Sequence, residues 1–284
     1  MKQIKGVYAP PRQHWVGDGF PVRSLFSYGM HDNDISPFLL LDHAGPAEFT
    51  PSDKPRGVGV HPHRGFETVT IVYDGEVSHR DSAGFSDTIY PGDVQWMTAA
   101  SGILHEEFHS PRFSETGGTM EMAQLWVNLP AKDKMTPPRY QGIGAKTIPT
   151  VALDHGSLRV IAGDYTGNAG PALTYSPINV WDLSLQPGGA QDFSVSDGHS
   201  LIVVVLKGEV MVNREQAIGT DHTVVFAHNG GDFSLEALSD SKVLVLSGEP
   251  LNENIEGYGP FVMNTRQEIN QAIDDFNHGR FGQL

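Results

Sequence analysis

The residues most able to do chemistry fall in two short clusters, His61-Pro62-His63 and His105-Glu106-Glu107. In an extended strand alternate side chains share a face, so His61 and His63 point one way, and so do His105 and Glu107. Two such pairs on neighbouring strands bring three imidazoles and one carboxylate around a single point, the donor set of a metal centre. Borderline nitrogens and one hard oxygen suit Fe(II), Mn(II), Ni(II), Cu(II), Co(II) or Zn(II), and the affinity order alone does not choose among them. Four protein ligands on an octahedral ion leave two positions for water, substrate or dioxygen. A zinc ion closed into a tetrahedron would instead be structural. The plainer reading, ordinary histidines at the mouth of a β structure, sits poorly with four ligand-type residues on matching strand parities.

Other residues compete for these places. Glu67 has the parity of His63 and rivals Glu107 for the carboxylate position. Glu106 faces away from His105 on a regular strand and reads as solvated. His109 shares the parity of His105 and Glu107 but lies towards the strand end. His43 and His79 stand alone and read as structural histidines.

The elements that must position the clusters are β-strands. With 32 glycines, 19 prolines and many short Val/Ile-rich runs, the composition argues for a mainly β architecture. Val69 to Tyr73 reads as a strand closed by an Asp74-Gly75 hairpin turn. Val94 to Met97 and Ile103 to His109 read as further strands between glycine turns. A chain of 284 residues suggests two domains. The stretch 130–150, interrupted by Pro130, Pro137, Pro138 and Pro149, is the expected linker, which puts the domains at 1–134 and 135–284. Ile71–Val77 is echoed at Val204–Val210, an internal repeat centred on Gly75 and Gly208. Carried across that repeat, His61, His63, His105 and Glu107 become Ser194, Ser196, Phe233 and Leu235, so one metal ion per chain is expected. Thr265-Arg266-Gln267-Glu268 is a capping box that opens an amphipathic helix with Ile269, Ala272, Ile273 and Phe276 on one face.

The net charge of −15 disfavours direct nucleic-acid binding. There are no cysteines, so disulfides and thiolate metal sites are excluded. No apolar run is long enough for a membrane span or a signal peptide, and a cytoplasmic location is the expectation.

The long motifs His-Pro-His-Arg-Gly-Phe-Glu-Thr-Val-Thr, Pro-Gly-Asp-Val-Gln-Trp-Met-Thr-Ala and Gly-Ile-Leu-His-x-Glu resemble those of the pirin family within the cupin superfamily. So do Gln124–Leu129 and Gly257–Thr265. The resemblance implies two antiparallel β-barrel (cupin) domains face to face, the metal in the N-terminal one, and a short C-terminal α-helix. It carries the ligand role onto His61, His63, His105 and Glu107, favouring Glu107 over Glu67, and implies iron, as Fe(II), as the usual ion. Some pirins cleave flavonols such as quercetin with dioxygen and release carbon monoxide. By that resemblance Glu107 is both ligand and the base for the flavonol 3-hydroxyl proton. An enzyme also needs an apolar pocket beside the metal; Phe38, Phe66, Trp96 and Leu125 either line it or simply fill the barrel, and core packing is the first expectation for each. Other pirins act as coregulators, which implies instead a metal-dependent regulatory protein with a protein partner. One departure from the family pattern is Ala100-Ser101 before Gly102, where a glycine and a basic residue are more usual. It bears on the loop beside His105 and leaves the ligands in place.

Overall fold

A computed structural model describes the backbone of residues 1–284 and every side chain except that of Asp32. The chain is mainly β and forms two compact units, each assembled from separate stretches of sequence. One comprises Met1–Arg12, Ser24–Leu39 and Lys146–Leu251; the other comprises Gln13–Arg23, Leu40–Ala145 and Asn252–Leu284. Among the described residues no helix is long and apolar enough to cross a membrane.

The two units repeat one topology. In the His-cluster unit a seven-stranded sheet runs Arg139–Ile143, Val94–Thr98, Phe66–Asp74, Gly118–Asn128, Phe38–Phe49, Phe20–Ser27, His14–Val16. A four-stranded sheet runs Gly57–His63, Ile103–His109, Val77–Asp81, Ser86–Ile89. The other unit has a seven-stranded sheet in the order Ile4–Tyr8, His222–Phe226, Ser200–Lys207, Ser241–Gly248, Ile178–Leu185, Gly156–Ala162, Thr150–Leu153. Its four-stranded sheet is Ala190–Ser194, Asp232–Ala237, Glu209–Val212, Gln216–Gly219. In each unit an apolar core draws on both sheets. Val72 and Phe20 pack with Val77 and Ile89 in one, and Val205 and Val224 pack with Phe193 and Phe233 in the other. These are the flattened, two-sheet jelly rolls of the cupin fold.

The repeat seen in the sequence marks equivalent corners. Gly75 and Gly208 have φ values of +84° and +83°, a region that glycine enters without steric cost. Neither corner is the hairpin that Asp74-Gly75 suggests. Phe66–Asp74 and Val77–Asp81 lie in different sheets, so the turn carries the chain from one sheet to the other. The turn chemistry is local, whereas the choice of pairing partner belongs to the sheets, so the dipeptide does not reveal it.

The unit boundaries differ from a single cut between 134 and 135. Within the expected linker, Arg139–Ile143 pairs with Val94–Thr98, and so caps an edge that would otherwise leave unpaired backbone donors and acceptors. The matching edge in the other unit is capped by the N-terminal strand Ile4–Tyr8, paired with His222–Phe226. The C-terminal helix Arg266–Asn277 is capped by Thr265 as expected, the Glu268 N–H donating to Thr265 Oγ1 at 3.2 Å; the reciprocal bond shifts by one residue, Glu268 Oε2 accepting from the Asn264 N–H at 3.0 Å. Its apolar face packs Ile269 and Ala272 against Phe261, Met263 and Phe281. It therefore belongs to the unit with the histidines rather than to the C-terminal half of the sequence.

Candidate metal centre

The strand Ile103–His109 shows why its histidine and glutamate face inward. Ile103, His105, Glu107 and His109 are buried, and the residues between them are half-buried, a strict period of two. The neighbouring strand Gly57–His63 sets His61 directly opposite His105. Further along, Glu107 is opposite Val58, so a bulge at Gly59-Val60 absorbs one extra residue. The Gly59 carbonyl accepts a hydrogen bond from His61 Nδ1 at 2.8 Å, which leaves His61 Nε2 facing the cluster.

Ligand-type atoms of His61, His63 and His105 lie within 4.8 Å of one another, and so do those of His79, His105 and Glu107. His105 is common to both groups, but Glu107 falls in the second, with His79, and not in the first with His61 and His63. His63 is pushed down to about 3 by burial, with the neighbouring His61 adding to the effect and the Pro260 carbonyl opposing it. His105 is held well below the usual imidazole value by burial and by His63, His61 and His79. Both rings are therefore neutral near pH 7, with lone pairs available. His63 Nδ1 and His105 Nε2 are buried without a hydrogen-bond partner. Each such orphan costs on the order of 1–3 kcal/mol, a cost that a cation drawn to these nitrogens would offset. The residues present fit a divalent ion.

The Glu107 carboxylate is held by the opposite sheet. Gln95 Nε2 donates to its Oε1 at 2.9 Å, with the Thr70 hydroxyl at 3.5 Å. Gln95 and Thr70 are cross-strand neighbours, as are Thr70 and Gln124, so one row across three strands faces the cluster. Tyr140 donates to Gln95 Oε1 at 3.2 Å and stacks on His79 with ring centroids 5.0 Å apart. Burial, reinforced by Asp87, pushes its phenol above the ordinary value, so it remains a donor.

The competing residues sort cleanly. Glu67 shares parity with His63 only if the strand is continuous, but Gly65, at φ +93°, breaks it and starts a strand in the other sheet. Glu67 therefore alternates with Thr70 to the opposite face of its strand, where Thr98 Oγ1 donates to it at 2.8 Å and burial raises it to about 7. Glu106 meets Arg80 on the exposed side. His109 Nε2 donates to the Gly19 carbonyl at 2.9 Å and packs against Phe20, Phe49 and Phe113. His43 lies buried beside Glu121 at 3.4 Å. His79 is no isolated histidine: it joins the cluster through His105, a link that the His79-x-Asp81 alternation could have signalled. Of the candidate pocket residues, Phe66 lies beside His63, with centroids 5.1 Å apart, and Trp126 joins it at 5.4 Å. Trp96 and Leu125 pair with Val69 and so face away with it. Phe38, the first residue of the strand Phe38–Phe49, falls in the stretch Ser24–Leu39 that is grouped with the other unit.

In that other unit aromatic side chains occupy the corresponding strands. Phe193 is paired with Phe233 and stacks on it at 5.2 Å, and Leu235 is part of the core.

Two further contacts fix the backbone around His63. Lys134, fully buried, donates to the Gly65 and Val262 carbonyls at 2.7 and 2.9 Å and to Asn128 Oδ1 at 2.5 Å. Burial lowers its ammonium to about 7. Arg64 donates to the Ser101 carbonyl at 2.7 Å and to Asp275 at 2.8 Å, and lies 4.6 Å from the Phe281 ring centroid. Ala100, in the turn before Ile103–His109, sits at φ +42°.

Comparison with known proteins gives a consistent picture. The family model described as Pirin matches residues 19–127, and that described as Pirin C-terminal cupin domain matches residues 180–282. A Pseudomonas aeruginosa protein provisionally named quercetin 2,3-dioxygenase is 58% identical over 283 residues, covering 99% of each chain. A pirin-like protein of Caulobacter vibrioides is 38% identical, covering 94% of this chain and 95% of its own. The crystal structure of quercetin 2,3-dioxygenase from Acinetobacter baumannii superposes with a TM-score of 0.98 at 56% identity, covering 100% of this chain and 99% of that one.

Proposed function

The chain belongs to the pirin family, and on that premise we propose that it is a metal-dependent dioxygenase that opens flavonols such as quercetin. The observation that carries the reading is the cluster of three imidazoles, His61, His63 and His105, of which His63 and His105 are buried, neutral and each left with an orphaned ring nitrogen. In this reading His61, His63, His105 and Glu107 hold one divalent ion, Fe(II) foremost. The ion would supply Lewis acidity toward the flavonol oxygens and a template for dioxygen.

The chain's own residues do the rest. Gln95 anchors Glu107 Oε1, so the carboxylate is oriented before substrate arrives. Its other oxygen takes the 3-hydroxyl proton, which requires hydrogen-bond reach of that oxygen. Half-buried Trp126, backed by the fully buried Phe66 with ring centroids 4.3 Å apart, gives the cluster an aromatic face suited to a planar polyphenol. The half-buried His61, beside the buried His63 and His105, marks the open side of the site.

The test is dioxygen uptake and carbon monoxide release by Fe(II)-loaded protein given quercetin, with Glu107→Gln and His61→Ala beside it. Metal-dependent carbon monoxide from the parent, lost in both variants, supports the proposal. Stoichiometric Fe(II) binding with no gas exchange would refute it and favour a regulatory metal protein.

A further inference from the structure

The strand Val77–Asp81 lies beside Ile103–His109, with Asp81 opposite His105 and His79 opposite Glu107. Both His79 and Asp81 are buried, with no exposed side-chain surface. Asp81 Oδ1 accepts the backbone N–H groups of Ala83 and Phe85, at 2.9 and 3.1 Å. Asp81 Oδ2 lies 2.9 Å from His79 Nε2, and His79 Nδ1 lies 3.5 Å from His105 Nδ1. His105 Nε2 has no partner.

From this chain of contacts we infer that His79 and Asp81 are positioning residues that fix the tautomer of His105. The assignment of protons runs in one direction. A carboxylate is an acceptor, so His79 carries a proton on Nε2, and in the neutral ring that leaves Nδ1 as a lone pair. That lone pair accepts from His105 Nδ1–H, and His105 Nε2 is left unprotonated, aimed at His61 and His63. The Gly59 carbonyl does the same for His61 by accepting from its Nδ1. Two adjacent ligands thus present Nε2 for the same physical reason, one through a backbone carbonyl and one through a buried His–Asp pair. His79 itself is spent in this role: its Nε2 is bound to Asp81, its Nδ1 faces His105, and its ring face is covered by Tyr140.

This inference rests on the ligand set proposed above, and the experiment separates the two. Fe(II) affinity is measured anaerobically against a competing chelator for the parent, His79→Leu and His79→Gln. The nitrogen hyperfine pattern of each Cu(II)-loaded protein is recorded in parallel. Leucine removes the acceptor, whereas the glutamine carbonyl can still accept from His105 Nδ1–H. The expected result is a loss of about 10–100-fold in affinity for His79→Leu, recovery of most of it in His79→Gln, and an unchanged number of coordinating nitrogens. Parental affinity in His79→Leu would overturn the relay. So would an equal loss in both variants, which would mean packing alone, or a nitrogen missing from the Cu(II) spectrum, which would make His79 a ligand. A parent that binds no ion would instead overturn the ligand set.

Discussion

The ion pair between Arg64 and Asp275 offers a quantitative test of how the C-terminal helix supports the centre. Asp275 accepts from Arg64 at 2.8 Å, from Gln271 at 2.8 Å and from Arg280 at 2.5 Å. Burial alone would raise its carboxyl, but these donors outweigh it and bring it from 3.8 to about 2. Such a shift corresponds to about 2.4 kcal/mol of folded-state stabilisation. The Asp275 side chain is 12% exposed and that of Arg280 57% exposed, so solvent screening reduces this to about 1–2 kcal/mol. The sign follows from the depressed value. The contribution is complete above about pH 4, falls to about half near pH 3, and vanishes as pH drops below 2. Asp275→Asn should therefore lower stability at pH 7 and pH 5 by this amount, with the gap to the parent closing on acidification. Urea unfolding followed by tryptophan fluorescence suits the measurement, since Trp15, Trp96 and Trp126 all lie in the unit concerned. Equal stability at pH 7 would refute the ion-pair argument. A gap that stayed constant from pH 7 to pH 3 would trace the loss to packing rather than charge.

Two further outcomes follow from the same region. A Cβ at Gly65 would lie 2.0 Å from the Val262 carbonyl oxygen, at a φ of +93°. Gly65→Ala should cost at least about 2 kcal/mol, visible as a melting temperature lower by about 5 °C, and an unchanged melt would show that the backbone yields freely there. A divalent ion at a hundred times its Kd should stabilise the protein by about 2.7 kcal/mol. Calorimetry of the parent beside His105→Ala checks this, and an equal rise in both would place the ion elsewhere.

The sequence reading succeeds where the determinants are local and fails where pairing decides. The alternation Ile103, His105, Glu107, His109 faces inward as period two predicts, and Thr265 caps the final helix as its sequence signals. The parity argument fails at Gly65, because a single left-handed residue ends one strand and starts another in a different sheet. That is why Glu67 looks like a ligand in sequence and is none in space. His79 goes the other way. Its partners Asp81 and His105 come together through side-by-side strands, and only the first is visible as a short-range pattern. Tyr140 and Lys134, which brace the centre, fall in or beside a Pro/Gly-rich stretch whose composition resembles a linker, and the edge-strand pairing that recruits Tyr140 is a long-range event.

The discontinuous makeup of the units bears on how the protein is made. Synthesis runs from the N-terminal side, so His61, His63, His105 and Glu107 leave the ribosome before the residues that follow them. Yet the unit that holds them also draws on Asn252–Leu284. A nascent chain that has reached Leu251 contains every residue of the unit without the histidine cluster, while the cluster still lacks Asp275 for Arg64 and the Val262 carbonyl for Lys134. The half translated first is thus the half completed last, and a ribosome that stops short of the final helix releases a chain with all four side chains present and their support missing.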